Sequence, residues 1–453
     1  MPREFRDLRT LTQAKQVLWQ ALPERVRQGR FGLHQAPLVE AVGCVLDQAV
    51  TSPVDLPAFD RSTVDGYAVR AQDTFGASEG LPAYLNVIGA VRMGEPAELS
   101  ISYQQCARIP TGGMLPEGAD AVVMVEHTQP WGPECRGESV TRPGRPAGSP
   151  LQAVEVLRPV APGENVVHRG DDVKQGEELL APGHCLRPQD ISALAGLGVA
   201  TVTIHRPRAA VLSTGCELVP HTAPLTPGKI HDMNGPALCA AVRALGGEPL
   251  DLGLVADARD ELRQAILKGV AGADLVLVSG GTSVGAEDLI PEVLDSLGSP
   301  GVIIHGLAVR PGKPLVVAMA GEVPVFGLPG HPTSALVIFR ELVAPLIALA
   351  TRVQIRPTTV AARLTRNISS QAGREDLVRV TVEERDGEWH ATPLLAPSAL
   401  ISSLVRAHGL VRVPAEAEGL YAGDSVEVEL LAARSSLPLA GATGAKGGGH
   451  EPR

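Results

Sequence analysis

The sequence predicts a multidomain protein of mixed α+β and α/β class. Its centre is a three-layer α/β domain with a mainly parallel sheet, flanked by β-rich domains. Three observations lead to this prediction. The chain has 453 residues, more than one hydrophobic core usually holds. Short apolar runs alternate with helical segments of about 10 to 17 residues between 207 and 350, the pattern of a parallel sheet. On either side, short strand-like runs alternate with turn residues.

Within 207–350 we predict helices over 235–245, 259–270, 288–297 and 333–350. The intervening runs RAAVLS, PLDLGLV, DLVLVSGG, GVIIHGLAV, PLVVAMA and PVFGLPG are predicted strands. This alternation implies right-handed crossovers between parallel strands.

The flanking segments complete the predicted domain organisation. Residues 7–29 have the apolar spacing of an amphipathic helix, 85–125 indicates a small β domain, and 189–197 a further helix. Residues 129–153 are rich in Pro, Gly and Arg and predict a long surface loop or hairpin excursion. Further along, 207–355 is predicted as the α/β domain, 356–432 as a C-terminal β-barrel and 433–453 as a disordered tail.

Composition excludes several classes of function. A net charge of −10 argues against nucleic acid or an anionic membrane as a partner. The six cysteines have no C-x-x-C spacing, which argues against a zinc knuckle and fits a reducing cytosol. The N-terminus has no signal-peptide pattern, and the apolar stretch 334–350 carries Arg340 and Glu341, which indicates a packed helix. We therefore expect a cytoplasmic protein.

Ligands of an open parallel sheet bind beyond the carboxyl ends of its strands, so the residues that follow each strand are the candidate site. Small residues at Gly280, Gly281 and Ser283 predict either an anion-binding turn or a plain turn. The carboxylates Glu217, Asp257 and Asp288 predict either a Mg²⁺ site or, for the two aspartates, helix N-caps.

Two further groups of residues are candidates with open alternatives. Arg310 and Lys313 flank a rigid Pro-Gly turn and suit an oxyanion, although ordinary surface charge is equally consistent. His331 is more simply interpreted as a bystander. The segments around Asp65 and Thr111 have turn chemistry, and no physical rule assigns either residue a role.

Eight segments in order resemble one known family, the molybdopterin molybdenumtransferases, which include the C-terminal domain of gephyrin. They are PAFDRSTVDGYAV (57–69), RIPTGGMLPEGADAVVMVE (108–126), HRGDDV (168–173), VLSTGCEL (211–218), HDMN (231–234), SGGTSVGAEDL (279–289), RPGKP (310–314) and GLPGHPTSA (327–335). The resemblance covers roughly residues 7–430.

The resemblance implies an elongated four-domain protomer. Its domains are a linker or dimerisation domain (7–54 with 155–206), an inserted small β domain (55–154), a molybdopterin-binding-type α/β domain (207–355) and the C-terminal β-barrel (356–432). The resemblance also implies a homodimer whose site combines the α/β domain of one chain with the Asp65 segment of the other. Such enzymes take molybdopterin-adenylate and molybdate, release AMP and leave molybdenum on the dithiolene, with Mg²⁺ or a similar ion. Transient contact with the adenylating enzyme and with recipient molybdoenzymes would follow.

The resemblance also assigns roles residue by residue. It ties Asp65, Glu217, Asp257 and Asp288 to activity or substrate binding. Our hypothesis is that Asp65, Glu217 and Asp288 are catalytic and that Asp257 and Asp288 hold Mg²⁺. The resemblance implies that Thr111, Lys313, Pro329, Pro332, Ser334, Arg379 and Ser398 bind substrate. From their own chemistry, the turn residues Gly280, Gly281 and Ser283 and the cation Arg310 are predicted to bind substrate as well.

The chain departs from the family pattern at a few positions. Position 216 is Cys where Asp is usual, 306 is Gly and 310 is Arg where relatives carry Lys, and 331 is His where Asn is usual. The sequence around Ser398 reads PSAL, and the 129–153 loop is longer than typical.

Three alternatives therefore stay open. The protein could be a divergent member that transfers metal poorly or prefers tungstate, a non-catalytic scaffold, or the adenylating enzyme of the same pathway. The absence of long linkers argues against the scaffold, and the flanking β domains argue against the adenylating enzyme.

Overall fold

The computed structural model describes residues 8–131, 153–280, 289–354 and 358–431. Asp288, Gly281, Ser283, most of the predicted 129–153 loop and the 433–453 tail lie outside the described residues. The chain divides into two compact units. One comprises residues 1–47, 185–187 and 201–453, and the other comprises residues 48–184 and 188–200.

The helices and strands begin and end as follows. In chain order the α-helices are α1 (Leu11–Ala21), α2 (Glu24–Arg27), α3 (Pro188–Gly196), α4 (Asn234–Ala244), α5 (Arg259–Gly272), α6 (Leu289–Asp295), α7 (Pro332–Ile338), α8 (Ala344–Thr351) and α9 (Ser402–Arg406). The strands of the first half are β1 (Leu33–Pro37), β2 (Val45–Leu46), β3 (Val50–Thr51), β4 (Arg61–Ser62), β5 (Gly66–Val69), β6 (Ala83–Ala90), β7 (Gln105–Ile109), β8 (Ala121–Met124), β9 (Thr128–Trp131), β10 (Ala153–Val156), β11 (Val166–Val167), β12 (Glu178–Leu180) and β13 (Thr201–His205). Those of the second half are β14 (Arg208–Thr214), β15 (Leu218–Val219), β16 (Ile230–His231), β17 (Glu248–Val255), β18 (Leu275–Ser279), β19 (Pro300–His305), β20 (Val309–Arg310), β21 (Val316–Ala320), β22 (Val323–Leu328), β23 (Thr359–Leu364), β24 (Ile368–Ser369), β25 (Glu375–Arg385), β26 (Glu388–Pro393), β27 (Gly409–Val413), β28 (Gly419–Leu420) and β29 (Ser425–Leu430).

The unit of residues 48–184 and 188–200 contains a six-stranded sheet in the order β8-β5-β7-β6-β10-β9. Its core consists of small and β-branched side chains such as Val69, Cys106 and Val123, which are fully buried. This confirms the β-rich prediction for 85–125. Strands β9 and β10, which border the predicted 129–153 loop, pair antiparallel with Trp131 opposite Ala153.

The α/β domain of the other unit has the strand order β17-β14-β18-β22-β21-β19. The pairs β14–β17, β14–β18 and β18–β22 are parallel, whereas β21 pairs antiparallel with both β22 and β19. The turn between β21 and β22 is too short for a crossover, so these strands form a hairpin. From β14 the chain goes to β17 on one side and then to β18 on the other. Such a reversal marks where an open sheet binds ligands.

Two predicted elements differ from the structure. The run 301–309 is not one strand: β19 ends at His305, and β20 joins the C-terminal sheet by pairing with β25. The helix predicted over 7–29 is divided into α1 and α2, because Leu22 is extended and precedes Pro23. A residue before proline is disfavoured in the α region, which ends α1 there.

The C-terminal sheet closes on itself. Its order is β20-β25-β26-β23-β29-β27, and β25 also pairs with β27, so five strands form a closed barrel. The barrel interior is filled by alternating apolar residues such as Val360, Val380 and Val428. This confirms the barrel that the sequence predicts. The exact domain boundaries stay predictions.

The stretch predicted as a packed helix is α7, a π-helical segment (Phe339–Val343) and α8 in continuous succession. By length and composition Pro332–Thr351 could cross a membrane, yet 78% of its most apolar window is buried inside the protein. Its side chains belong to the main core together with α1 and β14, which confirms the packed-helix prediction.

The π-helical segment carries a buried carboxylate that joins three parts of this unit. Glu341 is 5% exposed, and its two oxygens accept hydrogen bonds from Lys15 Nζ at 2.8 Å and from an Arg412 nitrogen at 3.1 Å. Lys15 lies on α1 and Arg412 on β27, where Arg412 also contacts Glu375 and Glu429. The ion pairs therefore connect α1, the long helix and the barrel.

Replacing Glu341 by alanine should lower the free energy of unfolding by about 2–3 kcal/mol in urea denaturation. Loss of one partner of a buried ion pair usually costs 3–5 kcal/mol, but Arg412 keeps two other carboxylates. Burial alone would raise the pKa of Glu341, yet Lys15 and Arg412 outweigh it and hold that pKa below its usual value. The group thus stabilises the fold above about pH 4, and the mutational difference should shrink as the pH falls below that.

The matched control is Glu322→Ala, which removes an exposed pair with Arg25 in the same unit. Exposed pairs contribute at most about 1 kcal/mol. Equal losses in the two variants would contradict a structural role for the buried network.

Candidate functional site

A cavity of about 1300 Å³ opens at the carboxyl ends of the parallel strands. It is lined by the ends of β14, β18 and β22, by the 307–314 segment around β20, and by barrel residues from β24, β25 and the 394–399 segment. The cavity therefore lies at the switch point of the sheet, where the strand order predicts a ligand.

Positive side chains dominate one wall of the cavity. Arg310, the last residue of β20, and Lys313, on the loop that follows, are exposed, and Arg379 lies on β25. Burial lowers the pKa of Arg379, and the positive charge of Arg310 lowers it further, although a guanidinium stays protonated in proteins. Two neighbouring cations that repel each other are stabilised by an anion beside them. This wall is suited to an oxyanion.

Arg379 is held rigidly. It is 8% exposed, and it donates hydrogen bonds to Ser403 Oγ at 2.6 Å and to the carbonyl of Ala396. Its buried Nε has no hydrogen-bond partner among the described residues. A buried donor left unpaired costs about 1–3 kcal/mol, so this donor favours a ligand acceptor.

A second arginine on the cavity, Arg374, is paired with a carboxylate. Arg374 donates to Asp376 Oδ1 at 3.0 Å, and Asp376 is 3% exposed. Both residues line the cavity, but their charges offset each other. Arg374 was not predicted from the sequence, because its position on the cavity follows from closure of the barrel.

Hydroxyl groups complete the polar lining. Ser334 lies in α7 and is 4% exposed, while Pro329 and Pro332 line the cavity on either side of His331. Ser398 Oγ lies 3.0 Å from His331 Nδ1, across from the α/β domain loop. The structure thus brings together the predicted residues Arg310, Lys313, Pro329, Pro332, Ser334, Arg379 and Ser398.

The carboxylates predicted at the strand ends differ in their position relative to the cavity. Glu217 is exposed and lines the cavity. Asp257 is absent from the cavity lining that the described residues form. Its Oδ1 accepts a hydrogen bond at 3.3 Å from Oγ1 of Thr214, which lines the cavity. Asp288 lies outside the described residues.

The side chains near the cavity can be compared with the ligands that Mg²⁺ requires. Across the four described ranges, no group of three or more His, Cys, Asp or Glu side chains could hold a metal ion. Mg²⁺ is usually held by only one or two carboxylates together with substrate oxygens. The exposed carboxylate of Asp257 fits such a role, and its pairing with Asp288 stays a prediction.

Asn234, the first residue of α4, was missed by sequence reasoning. Its Nδ2 donates to Ser279 Oγ at 2.7 Å and to the Gly330 carbonyl at 2.8 Å, which ties the end of β18 to the loop before α7. Its buried Oδ1 has no partner among the residues described. The motif HDMN (231–234) was the available signal.

Gly280 stands where the chain leaves β18. A Cβ there would lie 1.9 Å from the Thr214 carbonyl oxygen, and φ is +109°. Only glycine fits this close approach of the two strand ends. The neighbouring predicted residues Gly281 and Ser283 lie outside the described residues.

Asp65 and Thr111 come together in the other unit. Asp65 Oδ1 accepts hydrogen bonds from Thr111 N at 2.7 Å and from Thr111 Oγ1 at 3.1 Å. These bonds, the backbone one foremost, lower the pKa of Asp65, so its exposed carboxylate is ionised at neutral pH. Two residues from separate motifs therefore form one local arrangement.

Family models match three successive regions of the chain. Residues 9–198 match the MoeA N-terminal region (domain I and II), 210–349 a probable molybdopterin binding domain, and 361–431 the MoeA C-terminal region (domain IV). The order agrees with the β-rich, α/β and barrel regions of the structure.

Whole-chain relatives agree with these matches. A molybdopterin molybdenumtransferase of Haemophilus influenzae is 33% identical over 93% of this chain and 98% of its own length. Another from Bacillus subtilis is 33% identical over 85% and 87%. The crystal structure of a molybdopterin biosynthesis protein, MoeA, from Pyrococcus horikoshii has a TM-score of 0.67 and 35% identity, and covers 94% of this chain and all of that one.

Fold and cavity define a multidomain protein with a cation-lined pocket at the ends of a mainly parallel sheet. The three matched regions and the whole-chain relatives identify the family to which it belongs. The chain belongs to the MoeA family of molybdopterin molybdenumtransferases, enzymes of molybdenum cofactor biosynthesis.

Proposed function

We propose that this protein inserts molybdate into molybdopterin-adenylate, with release of AMP and with Mg²⁺ as the divalent ion. One observation carries the proposal. A cavity large enough for a drug-sized ligand lies at the sheet switch point and combines Arg310, Lys313 and Arg379 with the hydroxyls of Ser334 and Ser398. Cations and hydroxyl donors are what an oxyanion and a phosphate require.

The proposed roles of these residues differ and follow from their positions in the cavity. Arg379, locked against Ser403, supplies fixed donors, whereas the exposed Arg310 and Lys313 attract the anion. Such preorganised donors stabilise charge without reorganisation during the reaction. Glu217 at the cavity rim positions the pterin or a water molecule.

Asp257, with Asp288, would hold Mg²⁺ and so polarise the phosphoryl group. Asp65 of the partner subunit, held ionised by Thr111, would complete the proposed catalytic set with Glu217 and Asp288, as the resemblance implies.

The proposal is tested by AMP release from molybdopterin-adenylate, with Mg²⁺ and with or without micromolar molybdate. Molybdate-dependent release is the expected result. Tight binding of the adenylate without release would contradict it and favour a divergent binding member. Faster release with tungstate than with molybdate would reassign the preferred oxyanion.

We also propose that the protein is a cytoplasmic homodimer that meets the adenylating enzyme and recipient molybdoenzymes transiently. The resemblance of the sequence supports the dimer, and the scattered cysteines support the compartment. Sedimentation at the mass of a single 47.3 kDa chain would contradict the dimer.

A further inference from the structure

The contact between His331 and Ser398 joins two domains across the cavity. His331 directly precedes α7 as its N-cap, and Ser398 lies in the 394–399 segment, to which Arg379 is hydrogen-bonded through Ala396. The 3.0 Å separation of His331 Nδ1 and Ser398 Oγ is that of a hydrogen bond, and both residues line the cavity. The hydroxyl that faces the proposed oxyanion site therefore depends on the state of an imidazole.

The direction of this hydrogen bond decides what Ser398 can do. A hydroxyl has one hydrogen to donate and lone pairs to accept with. If Nδ1 is unprotonated, Ser398 gives its hydrogen to His331 and offers only lone pairs to the cavity. If Nδ1 carries a hydrogen, Ser398 accepts from it and is free to donate to an oxyanion, which offers only acceptors.

We infer that His331 is a proton-linked positioning residue, which turns the Ser398 hydroxyl toward a bound oxyanion when its Nδ1 is protonated. The inference rests on the proposed function, since it requires an oxyanion at this wall. Of the two forms with hydrogen on Nδ1, the imidazolium binds better because it adds positive charge beside the anion. Oxyanion binding is thus coupled to proton uptake at His331 and is tighter at lower pH.

The other charged groups on the cavity do not produce the same dependence. They are Arg310 at the end of β20 and Lys313 on the loop that follows, Arg374, Asp376 and Arg379 at β25, and Glu217 and Asp232 on the α/β domain. Guanidinium, ammonium and carboxylate groups have reference pKa values far from the pH range in which a histidine titrates. His231 also lines the cavity, with Nε2 2.8 Å from the Ala223 carbonyl, and needs its own control.

The test is calorimetric titration of the full-length protein with molybdate alone at about pH 6 and pH 8. The wild type should bind about five- to tenfold more weakly at pH 8 and take up protons on binding, seen as a dependence of the heat on the buffer. In His331→Asn the amide can still donate to Ser398 but cannot titrate, so binding should persist with little pH dependence. His231→Gln should keep the wild-type pH dependence.

The outcomes separate this inference from the proposed function. A wild-type pH dependence that survives in His331→Asn, or a wild type without one, would overturn the role of His331. A uniform loss of affinity in His331→Asn at both pH values, with the slope retained, would show a structural contact only. Failure of the wild type to bind molybdate at any pH would instead refute the oxyanion site of the proposed function.

Discussion

Replacing Arg379 by alanine should lower molybdate-dependent AMP release by about 100- to 1000-fold, the usual loss for one preorganised oxyanion donor. Arg379 is the buried cation of the cavity wall, with its guanidinium fixed by Ser403 and Ala396. Its loss removes both the charge and the anchor of the segment that carries Ser398. Arg379→Lys should recover the charge but only part of the rate, because lysine lacks the planar fork.

Steady-state rates and molybdate affinity, measured together, check this prediction. The matched control is Arg385→Ala at the far end of the same strand, where an exposed arginine contacts Glu383 at 2.7 Å. That variant should keep nearly full activity. If Arg379→Ala lost activity only in proportion to a loss of folded protein, measured by circular dichroism, a role at the oxyanion would be wrong.

The α/β domain was predictable because its strands are buried on both faces. Residues 209–214 and 275–279 are continuously buried, and a continuous apolar run with helices around it indicates a parallel strand. The division of 301–309 between β19 and β20 could not be predicted. Gly306 has φ +95° and bonds to Leu315, and only tertiary structure shows that the chain turns into the barrel there.

The sequence most readily indicates those candidate site residues that directly follow the ends of strands. Topology alone places the residues after β14, β18 and β22 at one edge of the sheet, so Glu217 and Gly280 could be inferred. Topology alone does not single out Asn234 or Arg374, because their importance depends on contacts between segments far apart in sequence. His331 was interpreted as a bystander for the same reason: its contact, Ser398, is 67 residues away.

The resemblance identifies Asp65 and Thr111 as candidate site residues, whereas residue spacing alone does not. No rule of turn chemistry singles out either residue, yet the Thr111 amide and hydroxyl both donate to one Asp65 oxygen. The resemblance names both residues, and the structure supplies a physical reason for an ionised carboxylate there.

Substituting alanine for Gly280 should have the largest effect on stability. The new Cβ would meet the Thr214 carbonyl oxygen at 1.9 Å, and that atom belongs to the backbone of β14, which cannot move like a flexible side chain. Strained backbone and overpacking each cost roughly 1–3 kcal/mol, so the free energy of unfolding should fall by about 3–5 kcal/mol. Because Ser279 and Thr214 both line the cavity, AMP release should fall in the protein that remains folded.

Two neighbouring variants separate the causes of that loss. At Gly330 on the same cavity edge, the nearest atom to a new Cβ among the described residues is Gly280 Cα at 3.7 Å, so Gly330→Ala should be nearly neutral. At Gly321, φ is +61° and no atom of the residues that the structure describes lies within 4 Å of a new Cβ, so Gly321→Ala measures backbone strain alone, about 1 kcal/mol. Urea midpoints for the three variants should therefore fall in the order Gly330→Ala, Gly321→Ala, Gly280→Ala, from most to least stable. A Gly280→Ala protein as stable as Gly321→Ala would mean that β14 and β18 can separate at their ends, and that the close approach of these strands does not fix the cavity edge.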